Sequence, residues 1–152
     1  MKPAAAILCA ALALAPLAAP AQSLLDRLAT APEISESAWR DMTAGKTVVY
    51  EIDDAIYGYE TYRKNSNRIS IRLENGTCIN GQWFMQQTAF CFDWEGGPLN
   101  CFNHKELDGD IYVVGLENGM ETEDIQKVAR IDDRPVFCGP ALLSTLMPEA
   151  KP

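Results

Sequence analysis

A mainly β domain, an antiparallel meander of about eight strands, is what this sequence predicts, and three observations predict it. Hydrophobicity changes from a helical period to a period of two at Lys46 and holds that alternation to about residue 131. Turn-forming pairs centred on Gly, Asn and Asp recur roughly every eight to twelve residues. No segment between them is long enough for the helical crossover that a parallel pair needs. A curled sheet or a small up-and-down barrel satisfies all three, with a two-sheet sandwich as the runner-up.

The elements follow in order. Residues 1–21 read as a cleaved signal peptide: Lys2 at the start, an Ala/Leu-rich run over 4–17, and Ala19-Pro20-Ala21 as a small-x-small cleavage site. The run is too short to span a bilayer, and Cys9 leaves with it. Residues 22–152 then form a single domain, with a helical lead-in over 22–45, the sheet over 46–131 and a tail over 132–152. In the lead-in, Leu24, Leu25 and Leu28 allow one or two amphipathic turns, which Pro32 breaks. Ser35 is the expected N-cap of a better short helix, with Ile34 and Trp39 at staple spacing and Gly45 as the stop.

Strands are expected over 47–52, 56–62 and 68–74, the last alternating without error. Asn75-Gly76 is the favoured pair for a hairpin turn with positive φ at both positions. Further strands are expected over 77–86, 89–95, 99–105 and 110–116. Asn118-Gly119 opens a loop before a final strand over 124–131. In the tail, Leu142, Leu143, Leu146 and Met147 can pack one helical turn against the sheet.

Removing residues 1–21 leaves 131 residues, enough to bury a sizeable core. Lys2 goes with them, so 12 basic residues oppose 21 acidic ones, a net charge near −9. That balance excludes nucleic acid and an anionic membrane surface as partners, and leaves a basic protein or a cation. It also keeps an exported monomer soluble.

Four cysteines remain, Cys78, Cys91, Cys101 and Cys138, an even number in a chain bound for an oxidising compartment, periplasmic or extracellular. Cys91 and Cys101 lie at nearly matching heights on strands joined by the 95–98 turn, which favours Cys91–Cys101 with Cys78–Cys138. Cys78–Cys91 with Cys101–Cys138 remains the competing pairing. No Cys-x-x-Cys redox spacing occurs, and His104 has no zinc-ligand spacing to the cysteines, so no metal or cofactor is expected.

The ordered series Gly45-Lys46-Thr47, Tyr57-Gly58-Tyr59-Glu60-Thr61-Tyr62, Cys78-Ile79-Asn80-Gly81-Gln82-Trp83, Cys91-Phe92-Asp93-Trp94, Cys101-Phe102 and Cys138-Gly139-Pro140 resembles a group of small exported alphaproteobacterial proteins of unknown function. The resemblance covers roughly residues 35–140. Members often carry Trp where this chain has Phe102. It implies one exported disulfide-bonded domain, and no substrate, cofactor or catalytic residue.

Five residues are candidates for ligand binding: Glu60, Tyr62, Arg72, Trp83 and Trp94. Alternation puts Gly58, Glu60 and Tyr62 on one strand face. If that face is interior, Glu60 is a buried carboxylate of raised pKa beside Tyr62. If it is wet, Arg68 and Arg72 make simple ion-pair neighbours. The turn over 64–67 sets the register, and a slip of one residue reverses the answer. Trp83, Met85, Phe90, Phe92 and Trp94 share a face if the chain turns at Gln87-Thr88, as a core or as the wall of an apolar pocket. A cavity lined by Trp83 and Tyr62 is the expectation for a ligand binder. The carboxylates of 108–110 and 117–124 are expected in solvated loops without EF-hand spacing. His104, with no nucleophile motif near it, is expected as a half-exposed strand residue.

The sequence therefore points to an exported, non-enzymatic β-domain that binds a protein partner or a small apolar ligand. The alternative is an acidic inhibitor of a basic periplasmic enzyme such as lysozyme, acting through Glu121 and Glu123 on a protruding loop. A carboxylate-based hydrolase is a distant third reading.

Overall fold

The computed structural model describes residues 22–136 and Cys138. Helices α1 (Leu24–Leu28) and α2 (Glu36–Thr43) precede eight strands. These are β1 (Thr47–Ile52), β2 (Ala55–Tyr62), β3 (Arg68–Leu73), β4 (Cys78–Gln86), β5 (Ala89–Trp94), β6 (Leu99–Leu107), β7 (Asp110–Glu117) and β8 (Met120–Asp132). Each strand pairs antiparallel with the next, and β8 returns to β1, so the sheet closes into an up-and-down barrel. Closure gives every strand a neighbour on both sides. The expected signal peptide and the helical turn over 141–147 lie outside the described residues.

Turn chemistry sets the ends of the strands. Asp108-Gly109 and Asn118-Gly119 each put both residues in the left-handed region, at φ 56 and 86, and 52 and 78. These are tight two-residue turns, with Leu107 paired to Asp110 and Glu117 to Met120. The loop expected after Asn118-Gly119 is therefore absent: β8 begins at Met120 and carries Glu121 and Glu123 as strand residues. At Asn75-Gly76 only Gly76 has positive φ; the Asn75 side chain accepts from the Thr77 N–H at 2.9 Å instead.

Both helices begin as capping chemistry dictates. Ser35 Oγ accepts from the Ala38 N–H at 3.2 Å, and Ser23 and Asp26 form a reciprocal capping box on α1. Gly45, at φ +78, ends the α2 segment and donates its N–H to Tyr62 O. The chain before α2 is held by a different device. β6 outruns β5, and Pro32 and Ile34 cover its free edge, Ile34 N donating to His104 O and Glu106 N to Pro32 O. Lys105 is 3% exposed beneath this cover. Its ammonium reaches Leu28 O at 3.0 Å and Glu121 Oε1 at 2.5 Å.

The disulfides are Cys91–Cys101 and Cys78–Cys138, the favoured pairing. Cys91 and Cys101 face each other directly across β5 and β6, with 4.0 Å between their Cα atoms. Cys78–Cys138 ties the segment after β8 to β4, and Val136 N hydrogen-bonds Thr47 Oγ1 and Thr61 Oγ1 on the way.

Candidate functional site

The two ends of the barrel are built differently. α2 carries Trp39 into one end, where the indole packs against Tyr62, Phe90 and His104 with ring centroids 5.8, 6.3 and 4.5 Å away. Trp83 stacks on Phe90 in the same layer. This end is solid. The other end is formed by the β1–β2, β3–β4, β5–β6 and β7–β8 turns and opens into a cavity of about 570 Å³. That is the size of a small-molecule site.

The cavity walls come from every strand pair. Ile71, Leu73 and Ile79 line one side, with Phe92, Trp94 and Phe102 opposite the Tyr50 and Tyr57 side. Strand glycines shape it. At Gly81 an added Cβ would lie 2.7 Å from Trp94 Cε3 and Asp93 O, so the Trp94 ring lies across a position where no side chain fits. Phe92 and Trp94 stack nearly parallel, 6.1 Å apart.

Glu60 faces this cavity from β2 and is 4% exposed. Of the two arrangements left open by the sequence, the interior one is present and the ion pair with Arg68 and Arg72 is not formed. Register explains why: Glu60 pairs with Val48 and Ile71, inward-facing residues, whereas Arg72 pairs with Tyr59 on the outer face. Glu60 Oε1 is buried and has no hydrogen-bond partner among the described residues. Burial pushes its carboxyl up to about 8, against the opposing pull of the Tyr62 hydroxyl. The Tyr50 and Tyr62 hydroxyls hydrogen-bond at 3.1 Å, and burial followed by the Glu60 charge raises both phenols.

Of the five ligand-binding candidates, Glu60 and Trp94 line the cavity. Tyr62 and Trp83 do not; each is 2% exposed in the solid half, so the cavity is not the one expected from those two rings. Arg72 stays outside, its guanidinium 5.4 Å above the Tyr59 ring. Tyr50, Phe102, Glu117 and Asp124 are lining residues that the sequence reading missed. Pairing Cys91 with Cys101 carried a signal for one of them. It forces Phe90 opposite Phe102, and hence Phe102 onto the inner face.

His104 is a correction: it is 1% exposed, not half-exposed. It faces inward on β6 between Trp39 and Phe90, and neither ring nitrogen has a partner among the described residues. Burial lowers it to about 3, so it is a neutral aromatic filler at physiological pH.

Among the described residues no group of three or more His, Cys, Asp or Glu is placed to hold a metal ion, and no helix is long and apolar enough to cross a membrane. Compared with protein-family models, curated proteins and solved structures, the chain matches none of them.

Proposed function

We propose that the chain is an exported, monomeric barrel that binds a small, largely apolar ligand in its open end without transforming it. One observation carries the reading: a cavity of about 570 Å³ with aromatic and aliphatic walls and one buried, unpartnered carboxyl oxygen. An eight-stranded barrel is the size at which the interior is either filled by side chains or holds one small ligand. This one does both, one half each. The leader over 1–21, the ordered cysteine series and the two disulfides support a periplasmic or secreted address.

The enzyme-inhibitor reading loses its main contact. Glu121 is held by Lys105 and by Asn103 Nδ2 at 2.8 Å rather than presented on a loop. The hydrolase reading needs a second carboxylate working beside Glu60, and the other carboxylates of the cavity, Glu95, Glu117 and Asp124, come from its turn-proximal rim.

The test is titration of the oxidised mature protein with N-phenyl-1-naphthylamine, a neutral apolar fluorophore. Saturable one-site binding is expected, and Phe102→Trp, which fills the cavity, should weaken it at least about tenfold. Absence of binding overturns the reading, as does binding that Phe102→Trp leaves unchanged.

A further inference from the structure

We infer that the cavity is selective for a small organic cation, an apolar or aromatic body carrying a protonated amine that reaches Glu60. This rests on the ligand-binding reading and narrows its chemistry.

The charge distribution is one-sided. Four carboxylates line the cavity, Glu60 in its depth and Glu95, Glu117 and Asp124 toward the rim, and no Lys, Arg or His among the described residues joins them. Rim carboxylates by themselves would be a solvated acidic patch. Glu60 is different, because it is buried, faces the space and has an oxygen without a partner. A buried acceptor left unpaired is costly, and a donor from the ligand removes that cost. A neutral hydrocarbon would leave Oε1 as it is. An anion would be repelled by the three rim carboxylates and would offer Glu60 no compensating charge.

The walls agree with the charges. Tyr50, Tyr57, Phe92, Trp94 and Phe102 line the cavity, and aromatic faces attract cations as well as apolar surface. Aromatic walls around a carboxylate are the complement of an ammonium on an apolar stem. Depth fixes the orientation. Glu60 sits opposite Val48 near the middle of the barrel, while the other carboxylates come from the turn-proximal 95, 117 and 124. The amine therefore leads, and the rim charges raise its local concentration on entry.

Binding has a proton signature. Empty, the site holds Glu60 protonated up to about pH 8; an ammonium favours the carboxylate, so a proton leaves as the cation enters. The groups facing Glu60 are Tyr50 on β1 and Tyr62 on β2, both with raised pKa. Sharing the cavity are Tyr57 on β2, Glu95 after β5, and Glu117 and Asp124 on β7 and β8. β3 and β4 contribute only the apolar Ile71, Leu73 and Ile79 to it, and β6 contributes Leu99, Asn100, Cys101 and Phe102. Cation affinity should rise with pH toward that value, by up to about tenfold per unit.

The experiment is calorimetric titration of the oxidised mature protein with three size-matched probes: tryptamine, 3-methylindole and indole-3-propionate. Tryptamine is expected to bind at least about tenfold tighter than either of the others, with affinity rising between about pH 6 and 8 and heat that depends on the buffer's ionisation enthalpy. Glu60→Gln should erase most of the tryptamine preference while leaving 3-methylindole within about threefold. Glu117→Gln, at an exposed position, should weaken tryptamine only modestly and keep the fold intact. If 3-methylindole or indole-3-propionate binds as well as tryptamine, or Glu60→Gln leaves the ratio unchanged in a folded protein, the cation inference falls and the ligand-binding barrel stands. If none of the three binds up to about 10 mM, both fall.

Discussion

The plugged end and the open end of this barrel use the same strands and the same inward alternation, yet one is solid and the other is a cavity. At the plugged end, α2 delivers Trp39 into the gap between Tyr62, Phe90 and His104. At the open end nothing described enters, and Gly58, Gly81 and Gly115 leave the inner face without side chains where Ile71, Trp94, and Thr122 with Asp124 come close. The lesson concerns polar burial. His104 at the plugged end is buried as a neutral ring among aromatics, a filler that does not line the cavity. Glu60 at the open end is as deeply buried but borders a cavity. Equal burial means packing in one place and binding capacity in the other, and the adjoining space decides which.

That contrast can be broken at its anchors. Trp39→Ala should cost roughly 3–5 kcal/mol in chemical denaturation, the usual loss for a fully buried large ring, because β-strands on all sides prevent collapse into the void. Trp94→Ala, at the half-buried cavity wall, should cost less than about half of that and should instead weaken ligand binding. Equal losses at the two tryptophans would mean that the open end is packed in solution.

A smaller effect tests the two titrating groups against each other. Glu60 is raised from 4.5 to about 8, so its contribution to stability is whole below pH 4.5 and is lost as pH rises through 8. His104 is lowered from 6.5 to about 3, so its contribution is whole above pH 6.5 and is lost as pH falls toward 3. Between 4.5 and 6.5 the two slopes cancel, and a plateau of stability is expected there. On the alkaline side about 2 kcal/mol should disappear between pH 6.5 and 8, and Glu60→Gln should abolish that loss in urea denaturation measured across pH. An alkaline limb that survives in Glu60→Gln would show that the carboxyl is ionised and hydrated in the free protein.

The smallest expected change sharpens the boundary of the site. Arg72 lies on the outer face over Tyr59, so Arg72→Ala should shift stability by less than about 0.5 kcal/mol and leave probe affinity unchanged. A clear loss of binding would place the ligand outside the barrel.

Much of the barrel was legible because its causes are local. The period-two runs, the Asp-Gly and Asn-Gly turns, the Ser35 cap and the Gly45 stop each depend on a few adjacent residues, and the strands formed where those signals stand. The start of β8 was not legible. Its acidic run 121–124 resembles a loop by composition, and only pairing with β7 and the Lys105 ammonium makes it a strand. Alternation placed Tyr62 on the same strand face as Glu60 but did not say which way that face points, and the inner face itself has two halves. Which half stays open depends on where α2 docks, through contacts far apart in sequence.

By itself the sequence pointed to an antiparallel meander of about eight strands and favoured the pairing that puts Cys91 opposite Cys101, because alternation and turn propensity act within a few residues. Closure into a barrel and the choice between the two disulfide pairings came from the tertiary structure. Only the tertiary structure decided that Glu60 faces inward, since the parity of β2 is fixed by its registers with β1 and β3, including the shift at Tyr50/Glu51. It also decided that Glu60 borders an open space, because the barrel encloses more volume than the inward side chains fill and a single helix occupies one end.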